Sequence, residues 1–193
     1  VYSGAAISII NCTFINNTGK QGTGIHTVKC TLVKVQKTQY LSNTASSKGA
    51  GIFTNSCRTV TIENSYFIHN FASEGSGAFI MKTDHLQLVS TVLLNNSAHI
   101  SAGGVFVKAC KLVLLNNTTF VNNNASATDG TGGAMALWNK NHRNLKVLIA
   151  ATRFVGNSAG SKGGGIYLFH VYKCTIVGST FVSNKVNGEG GGL

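Results

Sequence analysis

The side chains that could perform acid–base or metal chemistry are few in this chain and lie far apart. Its 193 residues include five acids and six histidines. The acids are Glu63, Glu74, Asp84, Asp129 and Glu189, and the histidines are His26, His69, His85, His99, His142 and His170. Glycoside chemistry requires two carboxylates close together, and a zinc site requires several grouped ligands. The spacing groups neither set, so we expect no catalytic site, no metal site and no bound cofactor.

Five cysteines offer a different chemistry. Cys30, Cys57 and Cys110 each stand ten residues before an aromatic or aliphatic residue that recurs along the chain. Cys30 and Cys57 belong to adjacent copies of that pattern, which would place their Cα atoms about 5 Å apart in a stacked fold, within the range of a disulfide. A disulfide between them and a stack of small buried thiols both remain open.

The recurring pattern is an aromatic or aliphatic residue followed three places later by asparagine. Its seven copies are Phe14/Asn17, Tyr40/Asn43, Phe67/Asn70, Leu93/Asn96, Phe120/Asn123, Phe154/Asn157 and Phe181/Asn184. Successive copies are 26 or 27 residues apart, with one step of 34. A glycine, or alanine in one copy, keeps the same phase before an apolar residue: Gly24-Ile25, Gly51-Ile52, Gly77-Ala78, Gly104-Val105, Ala134-Met135, Gly165-Ile166 and Gly192-Leu193. A constant period of this length predicts a stacked repeat.

Alternating apolar residues inside each repeat predict short β-strands, and no stretch carries the stripe and cap of a helix. We expect an all-β fold, a right-handed parallel β-helix of about seven coils, each with 26–27 residues and three short strands. Residues 1–193 should form a single body. Because the chain starts and stops within a repeat, we expect it to be a segment of a longer chain.

The asparagines of the pattern have a structural role in such a fold. When they stack at a turn, each side-chain amide can hydrogen-bond to the coils above and below. We expect one vertical ladder made of Asn17, Asn43, Asn70, Asn96, Asn123, Asn157 and Asn184.

The two motifs together resemble the repeats of the chlamydial polymorphic membrane proteins. The glycine motif stands here as Gly132-Gly133-Ala134-Met135, Gly164-Gly165-Ile166 and Gly103-Gly104-Val105, in phase with the asparagine pattern. The resemblance implies a right-handed parallel β-helix, at a cell surface or outside the cell, with an adhesive or structural function. The chain departs from that family because it shows no carboxy-terminal barrel, no secretion signal and several Gly-x-Gly sequences in place of glycine pairs. These residues therefore give no support to bacterial autotransport.

Two surface features could bind a partner. The strand after each glycine is apolar on both faces, although only one face can point into the rod. One face carries a candidate contact stripe of Phe53, Phe79, Phe106, Trp138 and Tyr167. The stripe could contact another chain or a sugar, or its aromatic residues could instead form the core. A candidate basic face follows this strand and consists of Lys29, Lys82, Lys108 and Arg143.

The charge of the chain is strongly positive, with 16 Lys and Arg against 5 Asp and Glu, a net +11. This balance fits an acidic glycan as partner, or lysines that keep strand edges soluble. Nucleic acid is disfavoured because no aromatic residues alternate with the cations. No run reaches the ~18 apolar residues that a transmembrane helix needs.

Six sites match the glycosylation pattern Asn-x-Ser/Thr: Asn11, Asn16, Asn95, Asn116, Asn117 and Asn124. We expect Asn16 and Asn95, which lie beside the asparagine ladder, to be the more exposed ones. A four-residue insertion after Trp138 could project as a ligand-binding loop, or it could be neutral.

These observations favour a non-enzymatic extracellular or cell-surface protein, either an adhesin stalk or a structural subunit of a surface fibre. Its partners would be another protein or a second copy, bound through the aromatic stripe or through the open ends of the coil stack. The alternative is a carbohydrate-active β-helix, either a polysaccharide lyase or hydrolase or a module that binds acidic glycan.

Overall fold

The computed structural model describes residues 4–140 and 144–193, and this part of the chain contains strands and turns but no helix. The strands form four parallel sheets, which we name A to D in the order in which the chain enters them. Each sheet takes one strand from each successive coil, so the coils stack in chain order. The prediction of an all-β parallel solenoid of about seven coils is confirmed.

The strand bounds follow the repeat closely. Sheet A contains β1 (Ala6–Ile10), β5 (Leu32–Gln36), β9 (Thr59–Glu63), β13 (His85–Val89), β17 (Leu112–Asn116), β21 (Lys146–Ala150) and β25 (Lys173–Val177). Sheet B contains β2 (Thr13–Ile15), β6 (Gln39–Leu41), β10 (Tyr66–Ile68), β14 (Val92–Leu94), β18 (Thr119–Val121), β22 (Arg153–Val155) and β26 (Thr180–Val182). Sheet C contains β3 (Thr18–Gln21), β7 (Thr44–Lys48), β11 (Phe71–Glu74), β15 (Ser97–Ser101), β19 (Asn124–Ala125), β23 (Ser158–Ala159) and β27 (Lys185–Val186). Sheet D contains β4 (Ile25–Val28), β8 (Ile52–Asn55), β12 (Ala78–Met81), β16 (Val105–Lys108), β20 (Met135–Trp138) and β24 (Ile166–Phe169).

Most coils therefore hold four strands where the sequence predicts three. The small-residue stretch after each asparagine, interpreted as a turn, pairs between coils and forms sheet C. Parallel pairing along the stack needs only backbone groups and an extended chain, so polar residues such as Thr44 and Ser97 can build this sheet. Side-chain alternation alone does not reveal such a strand.

The bends between sheets are single residues in the left-handed backbone conformation. The bend from A to B consists of Asn11, Lys37, Asn64, Ser90, Asn117, Ala151 and Gly178. The bend from B to C consists of Asn16, Ser42, His69, Asn95, Asn122, Gly156 and Ser183. The bend from C to D consists of Gly22, Gly49, Gly75, Ala102, Gly132, Gly163 and Gly190. In the bend from D to A the residues with positive φ are Lys29, Ser56, Lys82, Ala109 and His170.

The core lies inside the coil and is built from columns of like residues. The recurring aromatics stack face to face in two runs, with ring centroids 5.1 and 4.5 Å apart along Phe14–Tyr40–Phe67, and 4.9 and 4.7 Å apart along Phe120–Phe154–Phe181. Leu93 occupies the position between the two runs and is fully buried. The alternating apolar residues of sheets A and D complete this core.

Candidate contact surfaces

The seven asparagines of the pattern stand in one file along the stack. From Asn43 onward, each side-chain oxygen accepts two hydrogen bonds from the asparagine of the preceding coil, one from its backbone N–H and one from its side-chain amide. The same bonds continue through Asn184, with donor–acceptor distances of 2.9–3.1 Å.

From Asn43 to Asn184, each asparagine also donates an amide hydrogen to the backbone carbonyl of the aromatic-column position in the preceding coil, as from Asn70 Nδ2 to Tyr40 O at 2.9 Å. Within the file, asparagine thus satisfies both its donors and its acceptor where water is absent. The file has a structural role. It fixes the register between coils, and this register determines which surface residues align along the stack.

The predicted aromatic contact stripe is wrong for three of its five residues. Phe53, Phe79 and Phe106 point away from the main core, yet their exposed fractions are 4%, 0% and 5%. They form a second cluster on the outer side of sheet D, together with Ala102 and Ala136. The alternative that these aromatics line the main core is also wrong, because Ile52, Ala78 and Val105 take that side.

The chain itself covers this second cluster. The Lys48 ammonium, from the end of β7, lies 4.9 Å from the centroid of the Phe79 ring and 3.9 Å from Glu74. At the bend from C to D, a Cβ on Gly75 would lie 2.6 Å from the backbone oxygen of Ala78 and 2.9 Å from the Phe106 Cβ. The glycine therefore lets the backbone of this bend pass close to the sheet D strands.

The exposed end of the stripe lies at Trp138. Lys108, Trp138 and Phe169 occupy the same outward position in three successive coils. The Trp138 and Phe169 rings contact each other with centroids 4.4 Å apart, and Phe169 stacks on His170 at 4.2 Å. A shallow depression of about 180 Å³ is lined by Lys108, Ala109, Trp138 and Lys140. Trp138 and Tyr167 are only partly buried.

The predicted basic face is not gathered as expected. Lys29 and Lys82 occupy the same bend, but they are two coils apart, with Ser56 between them. Lys108 lies one position before this bend. It is the last residue of its sheet D strand, where it is the register partner of Trp138. Arg143 lies outside the described residues, as does the middle of the insertion after Trp138.

Four of the five acids have separate polar partners. Asp84 pairs with Lys111 at 2.7 Å, Glu189 with Lys162 at 3.5 Å and Glu74 with Lys48 at 3.9 Å. Glu63 accepts a hydrogen bond from Gln36 at 2.6 Å. Glu74 and Glu189 share one column of sheet C, but three coils lie between them. Within residues 4–140 and 144–193, no three of His, Cys, Asp and Glu come together as metal ligands.

The candidate cysteines Cys30, Cys57 and Cys110 are buried free thiols, so of the two alternatives left open by the sequence the structure has the stack of thiols and not the disulfide. Each thiol donates to the carbonyl two residues earlier, Cys30 to Val28 at 3.6 Å and Cys57 to Asn55 at 3.7 Å. Burial, and then the neighbouring Cys57 thiol, raise the pKa of Cys30. Burial also raises the pKa of Cys110 to about 12. Cys30 and Cys110 are therefore buried packing groups with little thiolate character at neutral pH.

The glycosylation patterns differ in exposure. Asn11, Asn16, Asn116 and Asn117 are exposed, whereas Asn95 and Asn124 are partly buried. The expectation that Asn95 belongs to the more exposed sites is therefore wrong. Asn95 sits at a bend beside the aliphatic residue Leu94, whereas exposed Asn116 is the last residue of its strand.

The outer face of sheet B carries a feature that the sequence analysis missed. Its second outward column is aliphatic in every coil, and it consists of Ile15, Leu41, Ile68, Leu94, Val121, Val155 and Val182. Ile15 is 55% exposed, Val182 is 43% exposed, and the others are partly buried. We call this set the aliphatic column. It follows directly after each aromatic-column residue, so its signal was present in the repeat.

The surroundings of the aliphatic column are nearly free of charge. The first outward column of sheet B contains Thr13, Gln39, Tyr66, Val92, Thr119, Arg153 and Thr180. Arg153 is the one charged residue among these outward positions of the described sheet B strands. By contrast, the outer face of sheet A presents Lys34, Glu63, Lys146 and Lys173.

No helix in the described ranges is long and apolar enough to cross a bilayer. Comparison of the chain with protein-family models, with curated proteins and with solved structures finds no match. The fold and its surfaces therefore carry the functional argument.

Proposed function

We propose that this chain is a non-enzymatic extracellular or cell-surface protein, a stalk or fibre subunit that works by contact with other chains. The aliphatic column carries the proposal. Outward positions of a sheet that faces water are ordinarily polar, whereas here all seven positions of one of the two outward columns are aliphatic, over a length of about 29 Å. A continuous apolar strip of this kind is typical of a surface that contacts another protein.

The favoured contact is with a second copy of the same chain, side by side. The net charge of +11 makes two copies repel one another over most of their surfaces. Sheet B is a face where aliphatic side chains can meet without bringing many like charges together. A two-fold pairing of this face would place the same column against itself, as isologous dimers do.

Placement outside the cell rests on two supports. The first is the resemblance to chlamydial surface repeats, and the second is the four exposed Asn-x-Ser/Thr sites at Asn11, Asn16, Asn116 and Asn117. The enzymatic alternative draws no support from the acids, because the four with polar partners bind a different residue each. Paired carboxylates are what glycoside hydrolysis would require.

Self-association of purified protein tests the proposal. We expect reversible association in sedimentation velocity as concentration rises. Leu94→Lys should weaken association by about tenfold or more, because it places a charge in the middle of the aliphatic column. Leu148→Lys is the matched control, since Leu148 is a 41% exposed aliphatic residue on the outer face of sheet A and the added charge is the same.

Two outcomes would contradict the proposed contact. One is a wild-type chain that stays monomeric at every concentration measured. The other is an equal loss of association in both lysine variants, since this would reflect added charge alone. Circular dichroism of each variant shows whether the fold is kept.

A further inference from the structure

The surroundings of Trp138 combine an aromatic ring with cations, in a part of the molecule separate from sheet B. The outward rings of earlier coils are covered by Lys48 and Ala102, whereas Trp138 stays partly exposed. Its indole is held on one side by Phe169, and the depression that it lines continues to Lys108 and Lys140. Among the described residues that line this depression, none is acidic.

We propose that this depression is a binding site for an acidic saccharide, with one sugar ring packed on Trp138 and its carboxylate or sulfate held by Lys108 and Lys140. An indole offers a flat apolar surface that suits the C–H face of a sugar ring. An ammonium is a strong partner for a carboxylate or sulfate oxygen. Both lysines line the same depression as the indole, so one anionic sugar can use both interactions.

The dimensions favour a short saccharide over a nucleic acid strand. Lys108, Trp138 and Phe169 span three coils, about 10 Å along the stack. Binding of a nucleic acid strand uses a row of cations that follows many phosphates, with several aromatic rings between them. The depression here has one partly exposed indole and two lysines. This set of residues is sufficient for one anionic sugar ring and the sugar next to it.

The single tryptophan of the chain makes the site directly observable. Tryptophan emission of the whole chain is titrated with a sulfated heparin-derived tetrasaccharide, tetragalacturonate, neutral maltotetraose, sodium sulfate and oligothymidylate at matched ionic strength. We expect a saturable change with at least one acidic tetrasaccharide. Tetragalacturonate carries carboxylates alone, so its binding shows that carboxylate is sufficient, whereas binding of the heparin tetrasaccharide alone shows that sulfate is required. Maltotetraose and free sulfate should each bind more weakly than the acidic saccharide that binds, because each supplies only one half of the interaction.

A matched pair of variants separates the site from general charge. Lys108→Gln with Lys140→Gln should weaken binding of the acidic saccharide about fivefold to tenfold, because two exposed ionic contacts are lost. Lys34→Gln with Lys173→Gln removes the same charge from the outer face of sheet A, and it should change the affinity less than about twofold. Thermal unfolding shows whether both proteins remain folded.

The inference is overturned if neither acidic saccharide changes the emission, or if maltotetraose binds equally well. Equal weakening in the two lysine pairs would also overturn it, since attraction would then come from net charge. Tighter binding of oligothymidylate would reassign the site to nucleic acid. These results are independent of self-association, so failure of the sheet B proposal and failure of this one can be told apart.

Discussion

At the scale of residues, the interior contrasts satisfied polar groups with two buried hydroxyls that lack a hydrogen-bond partner among the described residues, those of Tyr40 and Thr54. From Asn43 to Asn157, each asparagine of the file uses both amide hydrogens and its side-chain oxygen, which is why the same residue returns in each coil. Tyr40 stands in the aromatic column, where five other coils have Phe, and its buried hydroxyl has no hydrogen-bond partner in the described structure. Burial raises the pKa of Tyr40. The hydroxyl is therefore a cost to stability.

Removal of this hydroxyl should stabilise the fold. We expect Tyr40→Phe to increase the free energy of unfolding by about 1 kcal/mol, because a buried polar group without a partner is lost while ring stacking on Phe14 and Phe67 is kept. Chemical denaturation measures the change. Phe67→Tyr is the reciprocal control and should destabilise by a similar amount. A less stable Tyr40→Phe variant would mean that the hydroxyl has a partner.

Residue spacing predicted the asparagine file because a buried amide needs hydrogen-bond partners, and the next asparagine of the repeat supplies them one coil away. It did not predict that Phe53, Phe79 and Phe106 are covered. Their cover comes from Lys48 and Ala102, which belong to another strand and another bend. Alternation along one strand shows which residues share a face, but it does not show what lies over that face.

At the scale of elements, the bends determine the shape of each coil. The repeated turn residues adopt positive φ, often in residues other than glycine. The left-handed conformation costs an L-residue with a Cβ roughly 1–2 kcal/mol, and asparagine and glycine tolerate it best. The bend from A to B is occupied by Asn, Lys, Ser, Ala and Gly in different coils, so no consensus residue marked it in the sequence. The number of strands in each coil was underestimated for another reason, because the polar residues of sheet C were interpreted as a turn.

Two neighbouring positions of this bend test the cost directly. Ala151 has a φ of 47° and is exposed, and Gly178 follows it in the next coil with open space where a Cβ would be. Ala151→Gly should stabilise the fold by about 0.5–1 kcal/mol, and Gly178→Ala should destabilise it by about 1 kcal/mol. Thermal and chemical denaturation measure both changes. If both substitutions change stability in the same direction, backbone strain does not govern the bend.

At the scale of the whole molecule, the coil is the unit of folding and each coil contacts its neighbours. The pairing of strands in all four sheets is with the preceding and following coils. The free energy of unfolding of such a stack is close to the sum of the contributions of the individual coils and of the interfaces between neighbouring coils. The period of the sequence predicted this architecture, because like residues at a fixed interval leave few alternatives to stacking. The aliphatic column repeats as regularly as the asparagines. It was not predicted as a surface feature, because its residues are of the same apolar type as the residues of the core.

Removal of one whole coil should leave a shorter folded protein. Deletion of residues 66–91 joins Ser65 to Val92. Val92 is the register partner of Tyr66 in the next coil, so the deletion brings Asn96 to the place of Asn70. We expect a β-rich circular dichroism spectrum, cooperative unfolding and a particle shorter by about 4.8 Å in small-angle scattering. Deletion of residues 66–78 is the control and should unfold the chain, because later strands then meet the wrong sheets. A folded protein from both deletions would refute the coil as the unit.

The strand pairing of all four sheets also decides how the molecule would respond to a mechanical load. The backbone bonds between coils point along the stack, so a pull in that direction strains a whole ring of them together, while the peptide linkages at the bends carry the tension onward. Such a molecule should extend in discrete steps of one coil each. Each step would dissipate part of a sudden load before the remaining coils unfold.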